Sequence, residues 1–166
     1  MNNETIIKDP TSKVVIRFQD CDPFGHLNNA RYIDYFINAR EDHLAQYYDL
    51  DIYERQKQLN ENWAVIKHQI SYIAPVFFKE KVIIKTCLIH FTANSVLMEG
   101  AMLDKDARHL KSVIWTKFVY FNLSNGKSIK HSDELMQLFE SIVKDNNKIK
   151  IDYFDSRMKE IKNQFH

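Results

Sequence analysis

Residues Arg17–Phe36 read RFQDCDPFGHLNNARYIDYF. Inside that stretch DCDPFGHLNN, Asp20 to Asn29, packs two acids, a proline, a glycine, a histidine and two asparagines between two apolar patterns of different period. Ahead of it, Val14–Gln19 (VVIRFQ) predicts a strand. Behind it, from Ala30 to about Leu50, Ile33, Phe36, Ile37, Arg40, Leu44 and Tyr47 recur at three- and four-residue spacing, with Asp34, Asn38, Glu41 and Asp42 between them. That period predicts one long amphipathic helix. The ten residues therefore carry a strand into a helix N-terminus. Pro23 and Gly25 suit a tight turn there, and Asn28 or Asn29 can cap the helix.

Working outward, a polar stretch from about Asp51 to Asn62 precedes four strand-like runs: Ala64–Ile73, Val82–Phe91, Ser95–Leu103 and Leu110–Asn122. In the last, Val113, Trp115, Val119 and Phe121 share one face. The breaks between runs are short, so neighbours should pair antiparallel. Ser132 is placed to cap a helix over Leu135–Val143. After the link KDNNKIK, Phe154, Met158, Ile161 and Phe165 fall on one side of a final amphipathic stretch. One helix after the first strand of a mostly antiparallel sheet gives an α+β class, the sheet curled round the helix. That leaves the outer face of the sheet poorly covered, so residues of strands such as Val82–Phe91 could be buried by a partner copy.

Composition limits the functions. The 166 residues are 45% hydrophobic, enough for one core, so one domain is expected over 1–166, with a core of about 14–143 and an extension from 144. Lys+Arg at 23 against Asp+Glu at 22 leaves a formal charge of +1, no general field for nucleic acid or an acidic membrane. Two cysteines, Cys21 and Cys87, suit a reducing compartment. No apolar run approaches the ~20 residues that cross a bilayer, and MNNETIIKDPTSK lacks a secretory pattern, so a cytoplasmic protein is expected.

Chemically, the turn places Asp22 beside backbone N–H groups at the start of a helix. A carboxylate there can activate water or attack directly, while N–H groups hold an oxyanion. The same residues can be plain turn and cap residues, His26 can simply hold the loop, and Asp20, Asp22 and His26 could hold a metal. Strand alternation points Cys21 away from both acids, against a thiol nucleophile. Neither a G-x-S-x-G elbow nor a phosphate loop or dinucleotide fingerprint is present.

The pattern D-x-D-x-x-G-H-x-N-N-x-x-Y, from Asp20 to Tyr32, resembles the N-terminal signature of hotdog-fold acyl-CoA thioesterases, the group that includes the 4-hydroxybenzoyl-CoA thioesterase family. The resemblance spans Val14 to about Val143. It implies a sheet wrapped round one central helix, with Asp22 as catalytic base or nucleophile. It also implies that Gly25, His26 and Leu27 lie in the turn whose amides face the thioester carbonyl, that His26 orients substrate or water, and that Asn29 braces the loop. Asp20 is structural on this reading. Phe24 stands where plant-type acyl-carrier-protein thioesterases have an asparagine, which favours an aspartate-centred mechanism. The 4-hydroxybenzoyl enzyme lacks the H-x-N-N half, so its aromatic substrate does not carry over.

Acyl-CoA hydrolysis to free acid and CoA follows as the expected activity. Acyl-carrier-protein thioester hydrolysis, enoyl-thioester hydration and a non-catalytic acyl-CoA-binding module are the alternatives. Tyr32 and Phe24 are candidates for acyl contact, and Lys127, Lys130 and His131 for the phosphates of coenzyme A, against the plainer readings of core aromatics and a solvated charge run. The resemblance implies no metal, no cofactor beyond CoA as part of the substrate, and a homodimer or homotetramer.

Overall fold

The computed structural model describes residues 6–165. Residues 1–5 of the MNNETIIKDPTSK leader lie outside them. The strands are β1 (Thr11–Val15), β2 (Glu61–Tyr72), β3 (Lys81–Phe91), β4 (Ser95–Asp104) and β5 (Leu110–Asn122). All pairings are antiparallel, in one five-stranded sheet of order β1-β3-β4-β5-β2. The helices are α1 (Tyr32–Tyr48), α2 (Ile52–Leu59), α3 (Asp133–Ile142) and α4 (Phe154–Lys162). This is the α+β arrangement expected, a sheet curled round α1.

Boundaries differ where backbone groups find unexpected partners. β1 covers Thr11–Val15 rather than Val14–Gln19. Ile16 instead bonds Glu80 and Lys79 through its amide and carbonyl, and Phe18–Asp20 closes into a 3-10 turn. The polar stretch after α1 holds a helix that was not expected. Asp51 caps α2 by accepting from the Tyr53 and Glu54 amides, and Asn60 ends it in the left-handed region at φ 57°. An acidic cap followed three residues later by Glu54 is a readable helix start.

The deepest stripe of α1 is Tyr32, Phe36, Ala39, Arg40 and His43; Ile33, Ile37, Leu44 and Tyr47 flank it only partly buried. The long side chains lean toward the helix N-terminus, which shifts the covered patch from the one that spacing alone suggests. Phe36, 0% exposed, comes close to the sheet because β4 has Gly100 beneath it. A Cβ there would sit 2.6 Å from Phe36 Cδ1 and 2.9 Å from Ile114 Cγ2. α3, capped by Ser132 as expected, adds Leu135, Phe139 and Ile142 to the same inner core.

On the outer face the chain's own α4 segment packs against the sheet: Phe154 and Ile161 pack with Cys87, Ile89, Leu103, Val113 and Trp115. Arg157 of α4 is fastened to Glu99 of β4 through Nε–Oε2 and Nη2–Oε1 contacts of 2.9 Å each, and the Trp115 indole N–H donates to the same carboxylate at 3.0 Å.

Candidate active site

The turn at Asp22 is built around its own carboxylate. The Gly25 amide donates to the Asp22 carbonyl at 3.0 Å, with Pro23 at the second position and Gly25 at φ 79°, a conformation few other residues adopt. Asp22 Oδ1 accepts from the Phe24 amide at 2.9 Å and the His26 amide at 3.0 Å. Two amides hold this oxygen; Oδ2 has no hydrogen-bond partner among the described residues.

Hydrogen bonds to the segment before β3 fix the turn in space. The Leu27 amide donates to the Val76 carbonyl and the Phe78 amide to the Gly25 carbonyl. The His26 ring stands edge-on to Phe77, with centroids 4.9 Å apart. Asp20 is structural: its Oδ2 accepts from the Tyr35 hydroxyl at 2.7 Å, and burial, ahead of the neighbouring Asp20 charge, pushes that hydroxyl up to about 12. Asn28 is the capping asparagine, its side chain accepting from the Ala30 amide at 3.0 Å. The side chain of Asn29 makes no hydrogen bond among the described residues; its carbonyl accepts from the Tyr72 hydroxyl at 2.8 Å.

Asp22, His26, Leu27, Asn29 and Tyr32 line one cleft of about 250 Å³, closed on its other side by Tyr72, Ile73, Ala74 and Pro75. Tyr32 is 2% exposed with its ring edge-on to Tyr72. Burial pushes its hydroxyl up to about 12, so it stays a neutral donor. The β2–β3 connection thus supplies one wall of the cleft. Sequence reasoning missed this wall, because its place beside Asp22 rests on pairing between distant segments.

Three expectations need correction. The amides of Gly25, His26 and Leu27 are already spent on the Asp22 carbonyl, Asp22 Oδ1 and the Val76 carbonyl, because closing so tight a turn consumes them. The Asn29 amide has no acceptor among the described residues and belongs to a cleft residue. Phe24 is 84% exposed and lies outside the cleft. His131 is 6% exposed, accepts from Trp63 Nε1 through Nε2 at 3.0 Å, and directs Nδ1 to the Thr92 carbonyl. It is a neutral core histidine, its value held below the ordinary one chiefly by burial.

Lys127 and Lys130 are exposed in the turn after β5, level with Glu61 at the start of β2, whereas Tyr72 beside the cleft ends that strand. Twelve strand residues separate the two levels, roughly 36 Å of rise. One chain cannot bring these lysines to Asp22. Cys21 is no nucleophile either: burial and the charges of Asp20 and Asp22 push its thiol up.

Residues 16–139 match the Thioesterase-like superfamily. The chain belongs to that superfamily. It is a thioester hydrolase, and the Asp22 turn lies inside the matched region. Long-chain acyl-CoA thioesterase FadM of Escherichia coli (strain K12) is 25% identical over 134 residues, which make up 80% of this chain and 98% of that one. Among solved structures, the Staphylococcus aureus protein SAV2348, determined in complex with CoA, superposes with a TM-score of 0.76 at 13% identity over 90% of this chain and 92% of its own. DHNA-CoA thioesterase from Staphylococcus aureus superposes with a TM-score of 0.72 at 16% identity, over 94% of each chain. At these identities the superpositions establish the shared hotdog fold.

Proposed function

We propose that the protein hydrolyses acyl-CoA thioesters to the free acid and CoA, with Asp22 as the catalytic carboxylate. One observation carries the reading: two turn amides orient Asp22 through Oδ1, and Asp22 lines the cleft with Oδ2 free of protein partners among the described residues, available for water or the thioester carbon. A thioester suits so spare a site. Sulfur donates weakly into the carbonyl, and thiolate leaves with little acid help, so one carboxylate and one or two donors suffice. The Asn29 amide and the His26 ring, neither hydrogen-bonded to the described residues, are the donors for the developing oxyanion.

The carrier and the second subunit enter through β2, which lies at the sheet edge with Val65 and Ile66 43% and 57% exposed. Antiparallel pairing of two such edges would set the Lys127–Lys130 turn of one copy beside the Asp22 cleft of the other, where lysines can meet CoA phosphates. A monomeric mass by light scattering would remove that part of the reading.

Thiol release across short, medium, long and aromatic acyl-CoAs tests the activity. Asp22→Asn keeps an oxygen for the Phe24 and His26 amides, so the turn should fold as before while kcat/KM falls by about 10²–10⁴. Near-normal turnover in that variant on every active substrate overturns the role of Asp22.

A further inference from the structure

α1 carries a second polar pair, away from the Asp22 turn. Arg40 and His43, 8% and 1% exposed, lie three residues apart and so on one helix face, turned toward the sheet. They line a cavity of about 50 Å³ bounded by Thr86, Leu88, Met98 and Ile142. It shares no residue with the Asp22 cleft.

Both side chains are short of polar partners, and among the described residues His43 Nε2 is the fully buried side-chain atom that has none. Arg40 forms no ion pair or hydrogen bond with the described residues; its guanidinium carbon lies 4.0 Å from the centroid of the Phe118 ring, and the charge of Glu41 acts on it without direct contact. Burial lowers the group to about 10, which leaves it charged at neutral pH. His43 Nδ1 is 2.7 Å from Thr86 Oγ1, while Nε2 is buried with no partner. Buried donors are nearly always paired, and a buried ion more strictly still. Here the unmet imidazole nitrogen and the unpaired arginine belong to two residues that line one hollow.

We propose that this cavity is a binding site for a small aliphatic carboxylate held by Arg40 and His43. The planar guanidinium fork matches a carboxylate in two parallel bonds. With the Thr86 hydroxyl donating to Nδ1, the His43 hydrogen sits on Nε2 and supplies a third donor. The remaining wall is mostly apolar, fitted to a short hydrocarbon tail and short of the donors a phosphate dianion needs. The size allows a carboxylate with a few carbons, since one water requires roughly 10–15 Å³ on the same measure. This site does not depend on the thioester reading.

The test is thermal unfolding of the full chain, dialysed free of organic acids, with sodium acetate, butyrate or hexanoate set against the matching amides and sodium chloride at equal ionic strength. At least one carboxylate should raise the midpoint by several degrees with saturating dose dependence, and amides and chloride should not. Arg40→Met should abolish that increment. Arg40→Lys, which keeps the charge without the fork, should weaken the apparent affinity by about tenfold or more and serves should Arg40→Met not fold. Asp22→Asn should keep the increment in full. The proposal fails if no carboxylate outperforms its amide, if the increment survives Arg40→Met, or if Asp22→Asn removes it, which would place the acid in the cleft. It fails equally if Arg40→Met changes the solution mass without any carboxylate effect, since a second copy would then supply the anion.

Discussion

Two arginines pack against opposite faces of the same sheet, and they are served very differently. On the outer face Arg157, its side chain 11% exposed, meets Glu99, 6% exposed, through two bonds, and Trp115 completes the carboxylate. On the inner face Arg40 stacks on Phe118 and forms no ion pair among the described residues. Stripping water from an ion costs several kcal/mol, which a paired carboxylate offsets. A desolvated cation–π contact returns about 2 kcal/mol. The outer arginine is thus a fastener for α4, whereas the inner one remains short of stabilisation and fits a role in binding.

The sharpest way to break this contrast is to remove the fastener. Arg157→Leu leaves the Glu99 charge buried and unpaired, and should lower unfolding free energy by about 3–5 kcal/mol in urea titration. Adding Glu99→Leu should recover most of that loss. An unchanged midpoint in the single variant would mean apolar packing alone holds α4 down.

The inner face is tested next by volume. Gly100→Ala drives a methyl into the Phe36 ring, 2.6 Å from the ideal Cβ position, and should cost about 1–3 kcal/mol on the same assay. A neutral result would show that α1 can lift from the sheet without penalty.

Acid separates the faces without mutation. Burial holds His43 and His131 below the ordinary imidazole value. The unfolded chain therefore takes up protons first as pH falls through about 6.5, and stability declines below that point by at most about 1.4 kcal/mol per pH unit for each histidine. His131→Asn should flatten the slope between pH 6.5 and about 5. A slope unchanged by the substitution would assign the acid loss elsewhere.

The smallest effect is expected from Arg40→Met without ligand. Losing the desolvation penalty and the Phe118 contact together should leave stability within about 1 kcal/mol of the parent. A loss as large as that of Arg157→Leu would reveal a partner for Arg40 and erase the contrast.

Much of this was legible in residues 17–36 alone. Pro23, Gly25 and the asparagines announce a turn into a helix because only a few residue types tolerate or cap such geometry. The four later strands were likewise readable from their β-branched and aromatic runs. α2 was passed over because its side chains are mostly polar, although Asp51 and Glu54 mark its start. Arg40 stood in the apolar stripe of α1 and broke its pattern; spacing could flag the anomaly but not the missing acid.

Local chemistry in the chain therefore determined where strands, turn and central helix form, since capping, positive φ and apolar period each act within a few residues. Tertiary structure alone decided that Pro75 walls the Asp22 cleft, that the turn consumes its own amides, that α4 packs on the outer face, and that Lys127 stands a strand's length from Asp22. Each of these structural placements depends on which distant groups desolvate one another, and one-dimensional spacing carries no record of that.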